Sequence, residues 1–200
     1  MDRKKYDLIL IGPQMGGKTA LLRTFQKKEP IEHTATQSSG EHTTVSFGNW
    51  FHRNFGKGMI VLDAGGKDCE REKYPLWCKE ATTILFVFNG CEMLDEVKYY
   101  GLPGKNTSFC KKICSELEKD ADIWFIATHK DKFLDKSPGE DLVASIQRAL
   151  ENANVSYGNL FPNMAKRYHP FSELMKGRLF AVNALNEDEV KDLFGKIFEL

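Results

Sequence analysis

The sequence predicts an α/β fold: a six-stranded, mostly parallel sheet with one antiparallel edge strand and helices on both faces. Three observations predict it. Apolar runs of strand length alternate with helix-period segments along the chain, the pattern of strand-helix-strand units. Thr83 to Phe88 is a near-continuous apolar run, as a parallel strand covered on both faces requires. Between a strand and a helix lies Gly12-Pro13-Gln14-Met15-Gly16-Gly17-Lys18-Thr19, which fits G-x-x-x-x-G-K-S/T without a gap.

Taken in order, Tyr6 to Ile11 is the first strand, and Lys18 to about Lys28 the first helix, with Leu21, Leu22 and Phe25 on one face. The loop between them is built to hold phosphate. Successive backbone N–H groups of such a loop point inward, and the helix N-terminus adds partial positive charge. Gly12, Gly16 and Gly17 supply the dihedrals, Lys18 reaches the outer phosphates, and the Thr19 hydroxyl ligates Mg²⁺. The nucleotide-binding candidates here are Gln14, Met15, Gly16, Gly17, Lys18, Thr19 and Ala20. The ligand class is a nucleoside triphosphate.

Pro30 to Glu41 is rich in Thr, Ser, Gln, His and Gly and reads as a loop. Thr43 to Phe51 alternates as a strand, Asn54 to Gly58 supplies turn residues, and Met59 to Leu62 is a short apolar strand. Those two strands make a hairpin, the source of the antiparallel edge. Ile123 to Ala127 and Arg178 to Val182 are the remaining strands. Helices are expected over Asn106 to Lys119, Asp141 to Leu150 (Leu142, Ile146 and Leu150 on one face) and Glu187 to Phe198. Asn186 suits the N-cap of the last, with Glu189 completing a capping box. Glu151 to Gly177 is long for a connection and is read as a packed aromatic loop, with a partner surface as the alternative.

Composition narrows the class. With 200 residues and no Pro/Gly/Ser-rich linker, one domain over 1-200 is expected. Its 28 basic residues balance 28 acidic ones, so no nucleic-acid surface is expected. The apolar runs are too short to span a bilayer, Asp2 rules out myristoylation, and no prenylation box is present, so no membrane anchor is expected. Five cysteines without zinc or redox spacing point to a reducing, cytoplasmic setting. Cys110 and Cys114 lie one helical turn apart and read as helix packing rather than metal ligands.

Two further strand ends carry chemistry. Met59 to Leu62 leads into Asp63-Ala64-Gly65-Gly66. A carboxylate there, beside a phosphate loop, can hold Mg²⁺ through water, and a glycine N–H can approach a γ-phosphate. Ile123 to Ala127 leads into Thr128-His129-Lys130-Asp131. The Asp131 carboxylate can accept two hydrogen bonds from a guanine edge, N1–H and the N2 amino group, a donor pair that adenine lacks. Thr128 can tie this loop to the phosphate loop.

With these motifs in this order, the chain resembles a Ras-superfamily small GTPase, nearest the Arf, Rag and Roco branches, over nearly its whole length. The resemblance implies a three-layer P-loop G domain. It makes Asp63 to Gly66 the D-x-x-G motif of switch II, and Thr128 to Asp131 a T-H-x-D version of the usual Asn-Lys-x-Asp. His129 would then cover the base where a Lys otherwise lies. Asn183-Ala184-Leu185 resembles the S-A-K loop, retaining only its Ala, with the Ala184 N–H offered to guanine O6. Of Thr34, Thr36, Thr43 and Thr44, Thr36 has the switch I spacing, seventeen residues after Thr19, and joins Thr19 and Asp63 as a metal ligand.

The implied function is a switch that binds GTP or GDP with Mg²⁺ and meets effector and regulator proteins through residues 30-44 and 64-80. Homo- or heterodimers are a further possibility in this family. Catalytic roles fall on Lys18, Gly66 and Lys67. Lys67 stands where Ras and Arf proteins have the Gln that orients water, so hydrolysis should be slow. Gln14 would crowd an arginine finger; Arg53 and Arg71 could be internal substitutes but read first as ordinary surface arginines. A hydrolysis-deficient scaffold is the alternative, and a small-molecule phosphotransferase the third reading.

Overall fold

The structure, a computed structural model, describes residues 6–26, 42–45, 59–65, 73–97, 122–160, 175 and 177–198. Six strands form one sheet: β1 (Tyr6–Ile11), β2 (His42–Val45), β3 (Met59–Asp63), β4 (Ala81–Asn89), β5 (Asp122–Thr128) and β6 (Leu179–Ala181). Their order is β2-β3-β1-β4-β5-β6. β2 runs antiparallel to β3, with Thr43 opposite Val61, and the other pairings are parallel.

Side-chain alternation along the strands builds two cores. Leu8 and Leu10 of β1, Leu85 and Val87 of β4 and Ile126 of β5 face one way, onto Leu21 and Leu22 of α1 (Lys18–Phe25). The same layer takes Val190, Leu193 and Phe194 of a helix spanning Glu187–Ile197, and the Phe25 ring stacks on Phe194 at 3.8 Å. Ile9, Ile11, Phe86, Phe88 and Phe125 face the other way. There they meet α2 (Tyr74–Lys79), α3 (Gly90–Asp95), α4 (Lys130–Lys136) and α5 (Leu142–Leu160) through Tyr74, Met93, Phe133, Leu142 and Ile146. The Glu187–Ile197 helix is α6. Burial on both faces is why β1 and β4 are apolar almost throughout.

The parallel register aligns the strand ends on one edge. Leu10 pairs with Asp63, Asn89 with Thr128, and Ala127 with Ala181. The segments that follow β1, β3, β5 and β6 therefore emerge side by side, the position where open α/β sheets bind ligands.

Several elements differ from expectation. α5 continues to Leu160 instead of ending at Leu150, so helix occupies the first ten residues of the expected loop. Glu151 to Leu160 contains no proline to remove a helix hydrogen bond, and its one glycine, Gly158, costs a helix only about 1 kcal/mol. The stripe of Leu142, Ile146 and Leu150 is buried as its spacing predicts. α2, α3 and α4 were not expected; each is six or seven residues, too short for a periodic signal. α3 is announced only by Asn89, whose side chain accepts from the Cys91 and Glu92 N–H groups. The expected helix over 106-119, Cys110, Cys114 and the aromatic segment from Phe161 to Phe171 lie outside the described residues. No helix among the described residues is long and apolar enough to cross a membrane.

Candidate functional site

β1 delivers the chain into the glycine loop at a fully buried strand end. Gly12 has φ 139°, and a Cβ there would overlap the Val87 carbonyl of β4, so only glycine lets the loop turn this close to the sheet. Gly17, at φ 91°, is the N-cap of α1, and a Cβ on it would lie 2.9 Å from Thr128 Cγ2. Between them Gly16 N donates to Pro13 O at 3.2 Å. Met15 carries a positive φ of 61° with its side chain 69% exposed, a conformation of modest cost for a non-glycine residue. Gln14 and Ala20 are partly buried at its flanks.

The loop closes around an ammonium. Lys18 is only 5% exposed, and its Nζ donates to Gly12 O and Pro13 O, both at 2.8 Å. Burying a charge is tolerable only with such partners. No acidic residue occupies the first turn of α1, so the positive end of that helix carries no competing carboxylate.

Thr19 and Asp63 meet across the sheet edge. Thr19 Oγ1 donates to Asp63 Oδ2 at 2.8 Å, although 44 residues separate them. Asp63 Oδ1 is buried with no partner among the described residues. Burial pushes the Asp63 carboxyl above the ordinary aspartate range, while the Thr19 hydrogen bond and the Lys18 charge pull it down. A hydroxyl and a buried carboxylate oxygen in want of a partner are a donor set that fits a hard divalent cation such as Mg²⁺. After Asp63, Ala64 N donates to Leu10 O at 3.0 Å and the Tyr74 hydroxyl donates to Gly65 O. Tyr74, absent from the sequence reading, thus fixes the start of the D-x-x-G segment. Thr36, Gly66, Lys67, Arg53 and Arg71 lie outside the described residues.

The β5 end is tied directly to the glycine loop. Thr128 is fully buried, and its Oγ1 lies 2.9 Å from Gly16 O, 3.1 Å from Phe88 O and 2.8 Å from His129 Nδ1. A hydroxyl has one proton, which goes to a carbonyl here, so its lone pair accepts from His129 Nδ1–H. That arrangement leaves Nε2 as the ring's acceptor. Burial lowers the His129 pKa, with Lys132 adding to it against Asp131 and Glu92, so the ring is neutral at physiological pH. His129 sits at φ 62° as the N-cap of α4, and its carbonyl accepts from Cys91 Sγ at 3.5 Å. Asp131 follows in the first turn of α4 with its carboxylate exposed.

Thr128→Val preserves the shape but strands the Gly16 carbonyl and the His129 Nδ1–H. We expect a loss of about 1–2 kcal/mol in urea unfolding and weaker nucleotide binding, since buried acceptors without donors are costly. Unchanged stability would mean that the hydroxyl is not the tie.

The loop after β6 is pinned on both sides of Ala184. Asn183 Oδ1 accepts from Leu185 N at 3.0 Å, and Asn183 N donates to Glu189 Oε2 at 3.1 Å. Ala184 is buried, whereas Leu185 is 60% exposed. The Asn186 cap forms as expected, accepting from Asp188 N and Glu189 N. The reciprocal half of the capping box does not. Glu189 turns away from the Asn186 N–H, which donates to Asn183 O, and takes Asn183 N and Lys130 Nζ instead, the latter at 3.1 Å. The Lys130 charge draws the carboxylate toward α4. The sequence shows Glu189 only as a capping-box residue and does not show its pairing with Lys130, because nothing in the chain marks a pair 59 residues apart.

No family model matches this sequence, and no curated protein matches it. Among solved structures it is similar to the Arl6 BBS3 small GTPase from Trypanosoma brucei with bound nucleotide analogue GppNp. The TM-score is 0.56 at 15% sequence identity, over 96% of this chain and 94% of that one. The chain therefore has the α/β fold of a small GTPase.

Proposed function

We propose that this chain, as one G domain over residues 1-200, is a cytoplasmic guanine-nucleotide-binding switch that takes GTP or GDP with Mg²⁺. One observation carries the reading: the Thr128 hydroxyl on the Gly16 carbonyl, which brings the Thr128 to Asp131 loop onto the phosphate loop. The fold shared with a small GTPase that holds GppNp supports it. Gln14 to Ala20 wrap the phosphates, and Lys18 balances their charge as it grows on the leaving oxygen. Mg²⁺, held by Thr19, Asp63 and Thr36, would neutralise the outer phosphates. Asp131 reads the guanine edge, His129 covers the ring, Thr128 holds the loop, and Ala184 N, between Asn183 and Leu185, donates to O6.

Release of the γ-phosphate would free the Thr36 and Gly66 segments and change which effectors or regulators bind residues 30-44 and 64-80. Lys67 in place of a water-orienting Gln makes hydrolysis slow. The same residue favours a second reading, a scaffold that binds nucleotide without hydrolysing it. Two measurements test these. Chromatography of the nucleotide released by denaturing purified protein should give GDP or GTP, and adenine nucleotides would overturn the base assignment. Single-turnover assays with saturating Mg·GTP should show slow phosphate release, and a background rate leaves the scaffold.

A further inference from the structure

Glu189, in the first turn of α6, reaches both the loop after β5 and the loop after β6. Its Oε2 accepts at once from Lys130 Nζ and from the Asn183 backbone N–H, each at 3.1 Å. Both side chains are about one-third exposed, at 36% for Lys130 and 32% for Glu189. An ion pair so exposed adds little to stability. Its placement says more. Lys130 directly precedes Asp131, and Asn183 directly precedes Ala184, so each end of this bridge is one residue from a group assigned to the base.

The two loops otherwise emerge from different strands, β5 and β6, whose ladder ends at Ala127 and Ala181. The Val182 N to Ala127 O bond, at 3.0 Å, extends the pairing by one step. Beyond it, the Glu189 carboxylate bonds to both loops, at Lys130 and at Asn183. A base held from both edges is lost when either edge drifts, and small misplacements of a binding group carry large penalties.

We propose that Glu189, with Lys130, is a positioning residue that fixes the spacing between Asp131 and the Ala184 N–H and thereby sets how slowly the purine leaves. This rests on the guanine-nucleotide reading and adds to it a residue pair that controls residence time and discrimination. The bridge is electrostatic on the Lys130 side and a plain amide hydrogen bond on the Asn183 side. Glu189→Gln therefore keeps an acceptor for Asn183 N and loses the charge, while Glu189→Ala loses both.

The test is stopped-flow release of fluorescent GDP into excess unlabelled GDP, with melting temperature recorded for each variant. Glu189→Ala should release GDP about tenfold faster with little change in melting temperature, since interface losses act mainly on dissociation. Glu189→Gln should fall between it and the wild type. Lys130→Ala should speed release too, and the double variant should gain less than the sum of the singles, as expected of residues in contact. Added salt should speed release from the wild type more than from Glu189→Ala. The preference for GDP over IDP, which lacks the N2 amino group, should narrow in Glu189→Ala. Release from Glu189→Ala and Lys130→Ala at the wild-type rate would overturn the bridge while leaving the guanine reading intact. A wild type that binds no guanine nucleotide would overturn both.

Discussion

Asp131→Asn is expected to move nucleotide preference from guanine to xanthine by about 10³-fold, because an amide presents one acceptor and one donor where a carboxylate presents two acceptors. Guanine offers N1–H and an N2 amino group, both donors, and the amide leaves one donor facing another. Xanthine has a carbonyl at that position and restores the match. The carboxylate lies in the first turn of α4, exposed at the rim, so the exchange perturbs no core residue. Competition between GTP and XTP for the variant reads the result. Undiminished GTP selectivity would remove Asp131 from the role of base reader.

Asp63→Asn should separate stability from function. In protein stripped of nucleotide and metal, the Asp63 carboxylate is held against its solvation, with Oδ1 buried and unpartnered among the described residues. An amide of the same shape keeps an acceptor for Thr19 Oγ1 and carries no charge. The variant should therefore be more stable at neutral pH by about 1 kcal/mol, since burying a charge costs more than burying an amide.

The pH dependence of this difference has a defined sign. The folded-state pKa of Asp63 lies above the unfolded value, so the unfolded chain gives up its proton first as pH rises. Below the unfolded pKa both states are protonated and the variant gains nothing. The gain develops as pH climbs from the unfolded pKa to the raised folded one, then stays constant. Nucleotide binding should change in the opposite sense: affinity in Mg²⁺ falls about 100-fold, and chelation of the metal no longer weakens it further, as expected when a charged ligand to the cation is lost. An advantage over the wild type no larger at neutral pH than in acid would contradict the burial argument, and retained Mg²⁺ dependence would contradict the ligand assignment.

Much of this site is legible in the chain because its chemistry needs contiguous residues. A loop that wraps phosphate must place glycines, lysine and a hydroxyl within one turn, so Gly12 to Thr19 declares itself. The tie from Thr128 to Gly16 is likewise expected, as the end of β5 reaching past β4 to the loop after β1. What the sequence hides is set by distance or by single residues. Met15 and His129 adopt left-handed backbone that no pattern announces. Helices as short as α2, α3 and α4 give too few turns to show a period. α5 runs through Glu151 to Leu160, a polar stretch that composition alone assigns to a loop. Glu189 looks like half of a capping box because the local pattern fits; a lysine on another helix takes it elsewhere.

The central claim is that one rim of this sheet recognises a guanosine phosphate from both ends. Calorimetric titration of the wild type with Mg·GTP and with Mg·ATP tests it most directly. The account predicts saturable GTP binding at least about 100-fold tighter than ATP, the scale of discrimination a buried or rim carboxylate gives against a base lacking both donors. Equal affinity for the two, or heat from neither, would contradict it.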